Sequence, residues 1–458
     1  MAVSCMLAGS VAFAGPENVA TDTSSSPAAQ SESFWTRETL TGDWGGTRTA
    51  LADHGVEIGL EYTGETLGVL SGGLERGTTY EGRADLSLDV DLDKLTGWQG
   101  ATFHATFFNI HDSGRNAAEN AGAIADPSNI DAYSTSRLFT AWLEQRFFDD
   151  RFSVRLGQLA ADDEFLTSDT AGDLINGTFG WAGLLAANIT NGGPAYPLAT
   201  PGIRLQFKPS QDITLLAGAF SGDPAGQDCN GDAQKCNRYG TRFPIHKEKL
   251  FIGELQYGVN QSESSAGLPG VYKLGVWAAN GNYADQRYGL NSAGASVPLA
   301  DPSADGPRNH DGNWGVYGVV DQTVWRGRRS SVSAFLRGGF SPSDRNLISY
   351  YVDGGIGWKG PLASRPEDVL TLGVAYARIS NRAINADKDA LRIQGSPYAV
   401  RDHEMVFELS YIAQLTPWWT IQPDIQYIVH PNGGQSPDDA TQGLGHAFIA
   451  GLRTTIVF

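Results

Sequence analysis

The chain has 458 residues, with 33 Lys and Arg against 51 Asp and Glu, a net charge of −18 and a pI near 4.8. That balance disfavours nucleic-acid binding, which needs a basic footprint. The hydrophobic fraction is 41% and the mean hydropathy −0.25, too polar for a bundle of membrane-spanning helices.

Residues 1–14, MAVSCMLAGSVAFA, close on Ala12-Phe13-Ala14, the small-x-small cleavage pattern of a secretory signal. The stretch is too short to span a membrane and lacks a basic start, so it reads as a signal-peptide remnant. Residues 15–33 are rich in Ser, Thr, Ala and Pro and read as a flexible lead-in. Residues 34–55 form an N-terminal segment. An aromatic–glycine stretch, FWTRETLTGDWGG, precedes a helix-compatible TRTALADH that stops at Gly55. Within it, Trp44 and Arg48 suit either a rim or plug element or, the preferred reading, packing of this segment against the rest of the fold.

From Val56 to Phe458 the chain is a series of alternating runs bounded by turn residues. Candidate strands are 56–69, 78–92, 100–110, 133–147, 151–160, 199–208, 211–222, 249–260, 271–280, 313–326, 330–341, 347–358, 369–379, 402–415, 418–429 and 446–458. Short connections (FFDD, KPSQD, RGRR, TP) alternate with long polar excursions at 111–132, 161–198, 223–248, 281–312, 380–401 and 430–445. The last strand, HAFIAGLRTTIVF, carries a terminal aromatic, Phe458. These features predict an all-β fold: one transmembrane antiparallel β-barrel of sixteen strands over 56–458, in the outer membrane of a Gram-negative bacterium. Residues 174–203 are uncharged, but their Asn, Gly and Pro residues make them loop rather than helix.

Cys5 lies in the leader, leaving Cys229 and Cys236 in DCNGDAQKC. A pair in one polar loop outside the cytoplasm favours a disulfide over two free thiols.

Several segments, in order, resemble the OprB-type carbohydrate-selective porins. They are LTGDWGGTRTALADHGV (40–56), YTGETLGVLSGG (62–73), RLGQLAADDEFL (155–166), INGTFG (175–180), FSGDPAG (220–226), RYGTRF (238–243) and QLTPWWTIQPDIQYIVHPNG (414–433). The resemblance implies a sixteen-stranded barrel narrowed by inward-folded loops. It also implies passive diffusion of glucose and related small sugars.

A sugar-selective pore needs aromatic faces and hydrogen-bonding groups at one level, with binding weak enough for release. Residues 161–181 suit an inward loop, carrying Asp163, Glu164, Asn176, Phe179 and Trp181; the alternative is a solvated outer loop. In 78–92 the odd positions, including Arg83 and Asp85, are polar and the even ones apolar, so the odd face turns to the lumen. Glu61 shares the corresponding face of 56–69, and Gln422, Asp424 and Gln426 that of 418–429. Arg83 and its neighbouring carboxylates form either a polar ladder for hydroxyls or ion pairs that hold the wall. Trp418 and Trp419 read as interfacial girdle aromatics.

Enzyme signatures such as HExxH, GxSxG and CxxC do not occur, and no cofactor is called for. Expected partners are small sugars, outer-membrane lipid and lipopolysaccharide, not nucleic acid, with the barrel a monomer or homotrimer. A general or polyol- and acid-permeating porin, and an outer-membrane carbohydrate enzyme, are the competing readings.

Overall fold

A computed structural model describes residues 33–458, apart from 115, 227, 246–247, 263 and 396. The signal remnant and nearly all of the lead-in lie outside the described residues. One antiparallel sheet comprises β1 (Val56–Ser71), β2 (Gly77–Asp91), β3 (Ala101–Asp112), β4 (Thr135–Phe147), β5 (Phe152–Leu159), β6 (Thr200–Phe207), β7 (Ile213–Ser221), β8 (Lys249–Val259), β9 (Gly270–Asn291), β10 (Ser296–Pro298), β11 (Ala304–Arg326), β12 (Ser331–Phe340), β13 (Ile348–Lys359), β14 (Val369–Ile379), β15 (His403–Thr416), β16 (Trp419–Val429) and β17 (Ala447–Val457). The three-residue β10 only extends β9; the other sixteen form the wall. Each pairs with its sequence neighbour, and β17 pairs back onto β1, from Glu61↔Val457 to Ser71↔Phe448. Closure leaves no strand edge unpaired, the condition for crossing a membrane with strands.

The two faces follow the alternation of the sequence. Leu86, Leu205, Leu215, Leu274, Val276, Leu336, Ile356, Leu372 and Leu452 are all exposed on the outer face, with Leu274 64% exposed. In a soluble protein that belt would be an aggregation surface; here it faces lipid hydrocarbon. Their strand neighbours point inward; most are polar or glycine, and Leu216, Trp277 and Phe335 are buried apolar exceptions.

Two connections differ from expectation. Residues 281–312 are not an irregular loop. They continue β9 and β11 well past their predicted 271–280 and 313–326, as one hairpin with register shifts. A strand of about ten residues crosses the bilayer, so the rest projects beyond it; on β9 the alternation continues, with Asn282 and Ala284 exposed and Tyr283 and Asp285 buried. Residues 380–401 contain a helix, Asn381–Gln394. It is capped by the Ser380 side chain, which accepts from the Ala383 N–H, and stopped by left-handed Gly395.

The N-terminal segment forms a helix, Thr47–Asp53, at the short-turn end. Arg48 donates to the Phe458 carbonyl at 2.7 Å and stacks over Trp44 at 4.3 Å. Trp418 does not serve as a girdle residue. It is buried between Trp419 and Phe34, and its indole N–H donates to the Phe34 carbonyl at 3.0 Å. At the opposite end, the Sγ atoms of Cys229 and Cys236 lie 2.10 Å apart.

Candidate functional site: the channel and its inward loop

The segment from 160 to 199 leaves β5, enters the barrel and returns to β6. Its apolar side chains Phe165, Leu174, Phe179, Leu184, Leu185 and Ile189 are buried against Val319, Phe335, Tyr351 and Ala375 of the wall. The main apolar core therefore lies between this loop and the β11–β15 half of the barrel. Inward glycines make room for it. A Cβ on Gly373 would meet Leu174 Cδ1 at 2.4 Å, and one on Gly339 would meet Leu184 Cδ2 at 2.4 Å.

Polar wall residues clamp the loop backbone. Glu408 accepts from the N–H groups of Ile175 and Asn176 at 2.5 and 2.9 Å, and Glu254 from that of Leu166 at 2.8 Å. Asp321 accepts from Thr170 N–H and from the Ser168 and Thr170 hydroxyls. Arg337, 1% exposed, pairs with Asp353 and donates to the carbonyls of Leu166, Thr178 and Gly180 at 3.0–3.1 Å. Each contact satisfies a loop backbone group that water no longer reaches.

This arrangement corrects six expectations. Asn176, Phe179, Asp424 and Gln426 are at most 1% exposed, and Trp181 and Gln422 are nearly as covered, so a solute in the channel does not reach them. Asn176 donates to Gln426 at 3.0 Å, Gln422 to the Asp173 carbonyl at 2.8 Å, Trp181 to the Gly192 carbonyl at 2.9 Å, and Phe179 meets Phe335 edge-on. The even positions of β16 do point inward, but the loop lies on top of them. Burial also raises loop carboxyls. Asp162, accepting from Tyr196 N–H at 2.9 Å, is pushed up to about 6, and Asp173 to about 7.

The opposite half of the wall, β1 to β6, carries a second set of polar side chains. Here Glu61 and Asp85 are cross-strand neighbours and half-buried. Arg83 holds Asp85 through two 2.7 Å hydrogen bonds. The guanidinium is itself buried over Phe108 and Tyr196, so of this pair Asp85 rather than Arg83 keeps exposed surface. Deeper along the wall, Glu144 binds Arg155 at 2.9 Å and Arg204 at 3.1 Å. Glu164 of the loop binds Arg204 at 2.9 Å and Arg155 at 3.4 Å, closing a four-membered network between wall and loop. Asp163 is exposed beside it. Trp142 lies between His104, stacked at 4.8 Å, and Arg155, at 3.8 Å over its ring. Both indole faces are therefore occupied, leaving only the ring edge free of these partners.

The sequence reading missed Glu144, Arg155, Arg204, Trp142 and His104. A signal for two of them exists. The FFDD turn makes Phe147 and Phe152 partners, and counting back equally from them pairs Glu144 with Arg155.

The family model described as carbohydrate-selective porin, OprB family, matches residues 75–458. Porin B of Pseudomonas aeruginosa is 26% identical over 442 residues, covering 92% of this chain and 91% of that protein. A putative porin, QuiX, of Acinetobacter baylyi is 24% identical and covers 93% and 94%. The high-pH structure of Pseudomonas putida OprB superposes with a TM-score of 0.82 at 24% identity, covering 93% of this chain and all of that one. The low-pH structure of the same protein gives a TM-score of 0.55 at 20% identity. Residues matched over most of the chain, with the same closed barrel, make this an integral outer-membrane channel and not an enzyme: the chain belongs to the OprB family of carbohydrate-selective porins.

Proposed function

We propose that the chain admits glucose and similarly small neutral sugars, and that selection occurs where Glu61, Asp85, Glu144, Arg155, Asp163 and Glu164 border the open channel. The carrying observation is the Glu144–Arg155–Glu164–Arg204 network, which joins wall and loop; Glu144, Arg155 and Glu164 stay partly exposed, while Arg204 is buried beneath them. Opposite charges at hydrogen-bonding distance offset one another, so an ion passing the network gains little net attraction. A polyhydroxyl solute gains more, because each hydroxyl both donates and accepts, and bonds to charged groups are about twice as strong as neutral ones. The bonds replace water lost on entering the narrow zone, and their exchange for water on the far side lets the sugar leave. The Trp142 edge and the Tyr196 ring add apolar contact. Asn176, Phe179, Trp181, Gln422, Asp424, Gln426 and Arg83 act behind this surface, fixing the loop and Asp85.

Substitution tests the assignment. Glu144→Gln and Arg155→Gln each exchange a charge-assisted bond for a neutral one, a change of about 1 kcal/mol. Each is expected to weaken glucose block of single-channel current by about fivefold to tenfold. Unaltered block in both variants would place sugar selection elsewhere.

A further inference from the structure

Among the described residues, one cluster of ligating side chains stands apart from the channel, at the long-loop end of β15 and β16. Asp402 immediately precedes β15, His403 begins it, and His430 directly follows β16. Glu404 and Glu408 of β15 point inward, clamping backbone of inward segments, so His403, one residue from Glu404, faces outward. The Asp402 carboxylate lies 3.2 Å from His403 Nδ1 and 2.9 Å from His430 Nδ1, one oxygen toward each. One ligand atom from each residue falls within 4.8 Å of the other two. The side chains are 22–43% exposed, open to a hydrated ion.

Two imidazoles and a carboxylate are a borderline donor set suited to Zn²⁺ and related transition-metal ions, not to Ca²⁺ or Mg²⁺. Zn–N and Zn–O bonds of about 2.0–2.1 Å in a tetrahedron hold neighbouring donor atoms about 3.3 Å apart, close to the two Asp–His spacings of 3.2 and 2.9 Å. Surrounding rings fix the imidazoles. Tyr376 stacks on His403 at 5.2 Å, and His446 stacks on His430 at 5.2 Å with an interplanar angle of 12°. The His446 Nδ1 accepts the His430 backbone N–H at 3.3 Å, so it buttresses the site and is not a ligand. His430 sits at φ +51°, a left-handed conformation costly for a residue with a Cβ. That backbone turns its ring back toward Asp402.

We propose that Asp402, His403 and His430 form a three-ligand site for one divalent transition-metal ion, with water in the fourth position, on the outer rim of the barrel. The bound ion joins the start of β15 to the connection between β16 and β17. The site is independent of the sugar channel.

The test uses the whole chain in detergent micelles, dialysed against EDTA and titrated with ZnCl₂ by calorimetry. One Zn²⁺ per chain is expected, with a Kd of about 10 μM or tighter. His403→Ala and His430→Ala should each weaken it about tenfold or more, while His54→Ala, just after the N-terminal helix, should leave it unchanged. Co²⁺ in place of Zn²⁺ on the unmodified chain should give the intense visible bands of four-coordinate cobalt, a readout independent of whether the variants fold. Failure of saturable binding below about 1 mM, six-coordinate Co²⁺ spectra, or equal affinity in a folded His403→Ala/His430→Ala variant would overturn the site. The cluster would then be an Asp–His hydrogen-bonded group only.

Discussion

Arg337→Ala removes the guanidinium that joins β12 to the inward loop, and its cost follows from what is left behind. Asp353 has no exposed side-chain surface and pairs with Arg337 at 2.5 Å; after truncation only the Tyr351 hydroxyl, at 2.7 Å, still donates to it. The Leu166 and Gly180 carbonyls lose this donor outright, and the Thr178 carbonyl, 3.0 Å from the Tyr351 hydroxyl, is left to compete with Asp353 for that hydroxyl's single proton. Breaking one partner of a buried pair costs about 3–5 kcal/mol, which lowers the docking equilibrium of this part of the loop by about two to four powers of ten. The sixteen-stranded ladder is untouched, so the barrel still forms. Planar-bilayer recordings should show higher, noisier single-channel conductance, and liposome swelling should admit a trisaccharide that the parent excludes. Arg337→Ala/Asp353→Ala removes the orphaned charge as well and should recover part of the loss. Parental conductance and parental size exclusion in both variants would refute the view that this pair holds the constriction in place.

Two further outcomes follow from the loop. Gly373→Val puts a side chain where Leu174 and Phe179 pack, at 2.4 and 2.8 Å from the nearest atoms; it should raise conductance as Arg337→Ala does, and a parental current would argue against tight seating at β14. Asp162 and Asp173 have folded-state values raised above the ordinary carboxylate range by burial, to about 6 and about 7. A raised carboxyl binds its proton more tightly when docked, so its contribution favours docking as pH falls from about 8 toward about 5 and opposes it as pH rises. Protection of the loop from proteolysis should therefore increase over that acid shift, with a shallower response in Asp162→Asn. Equal slopes in parent and variant would remove Asp162 from the account.

The wall was legible in the sequence because a half-lipid, half-water strand imposes a strict period of two. That period places Arg83 and Asp85 inward and Leu86 toward lipid, and the same logic turns Gln422, Asp424 and Gln426 inward. It carries no information on what lies over an inward side chain. The 174–203 stretch, uncharged and rich in Leu, Asn and Gly, reads as loop. Only its contact with Gly339 and Gly373 shows that it is a core. Hence Asn176, Phe179 and Gln426 were expected at the solute surface and are found beneath it. The long β9–β11 hairpin was missed for another reason: beyond the membrane its outward positions, such as Asn282 and Ala284, meet water rather than lipid, so the apolar half of the alternation disappears. The Glu144–Arg155 pair was within reach of hairpin counting, whereas Arg204 and Glu164 join it through a loop path that no local pattern encodes.

Glucose titration of single-channel current in planar bilayers tests the central claim most directly. The account predicts saturable block at millimolar glucose in the parent channel, with clearly weaker block by gluconate, whose charge the offset network does not favour. Ohmic current indifferent to glucose and gluconate alike would contradict a sugar-binding constriction and leave a general pore.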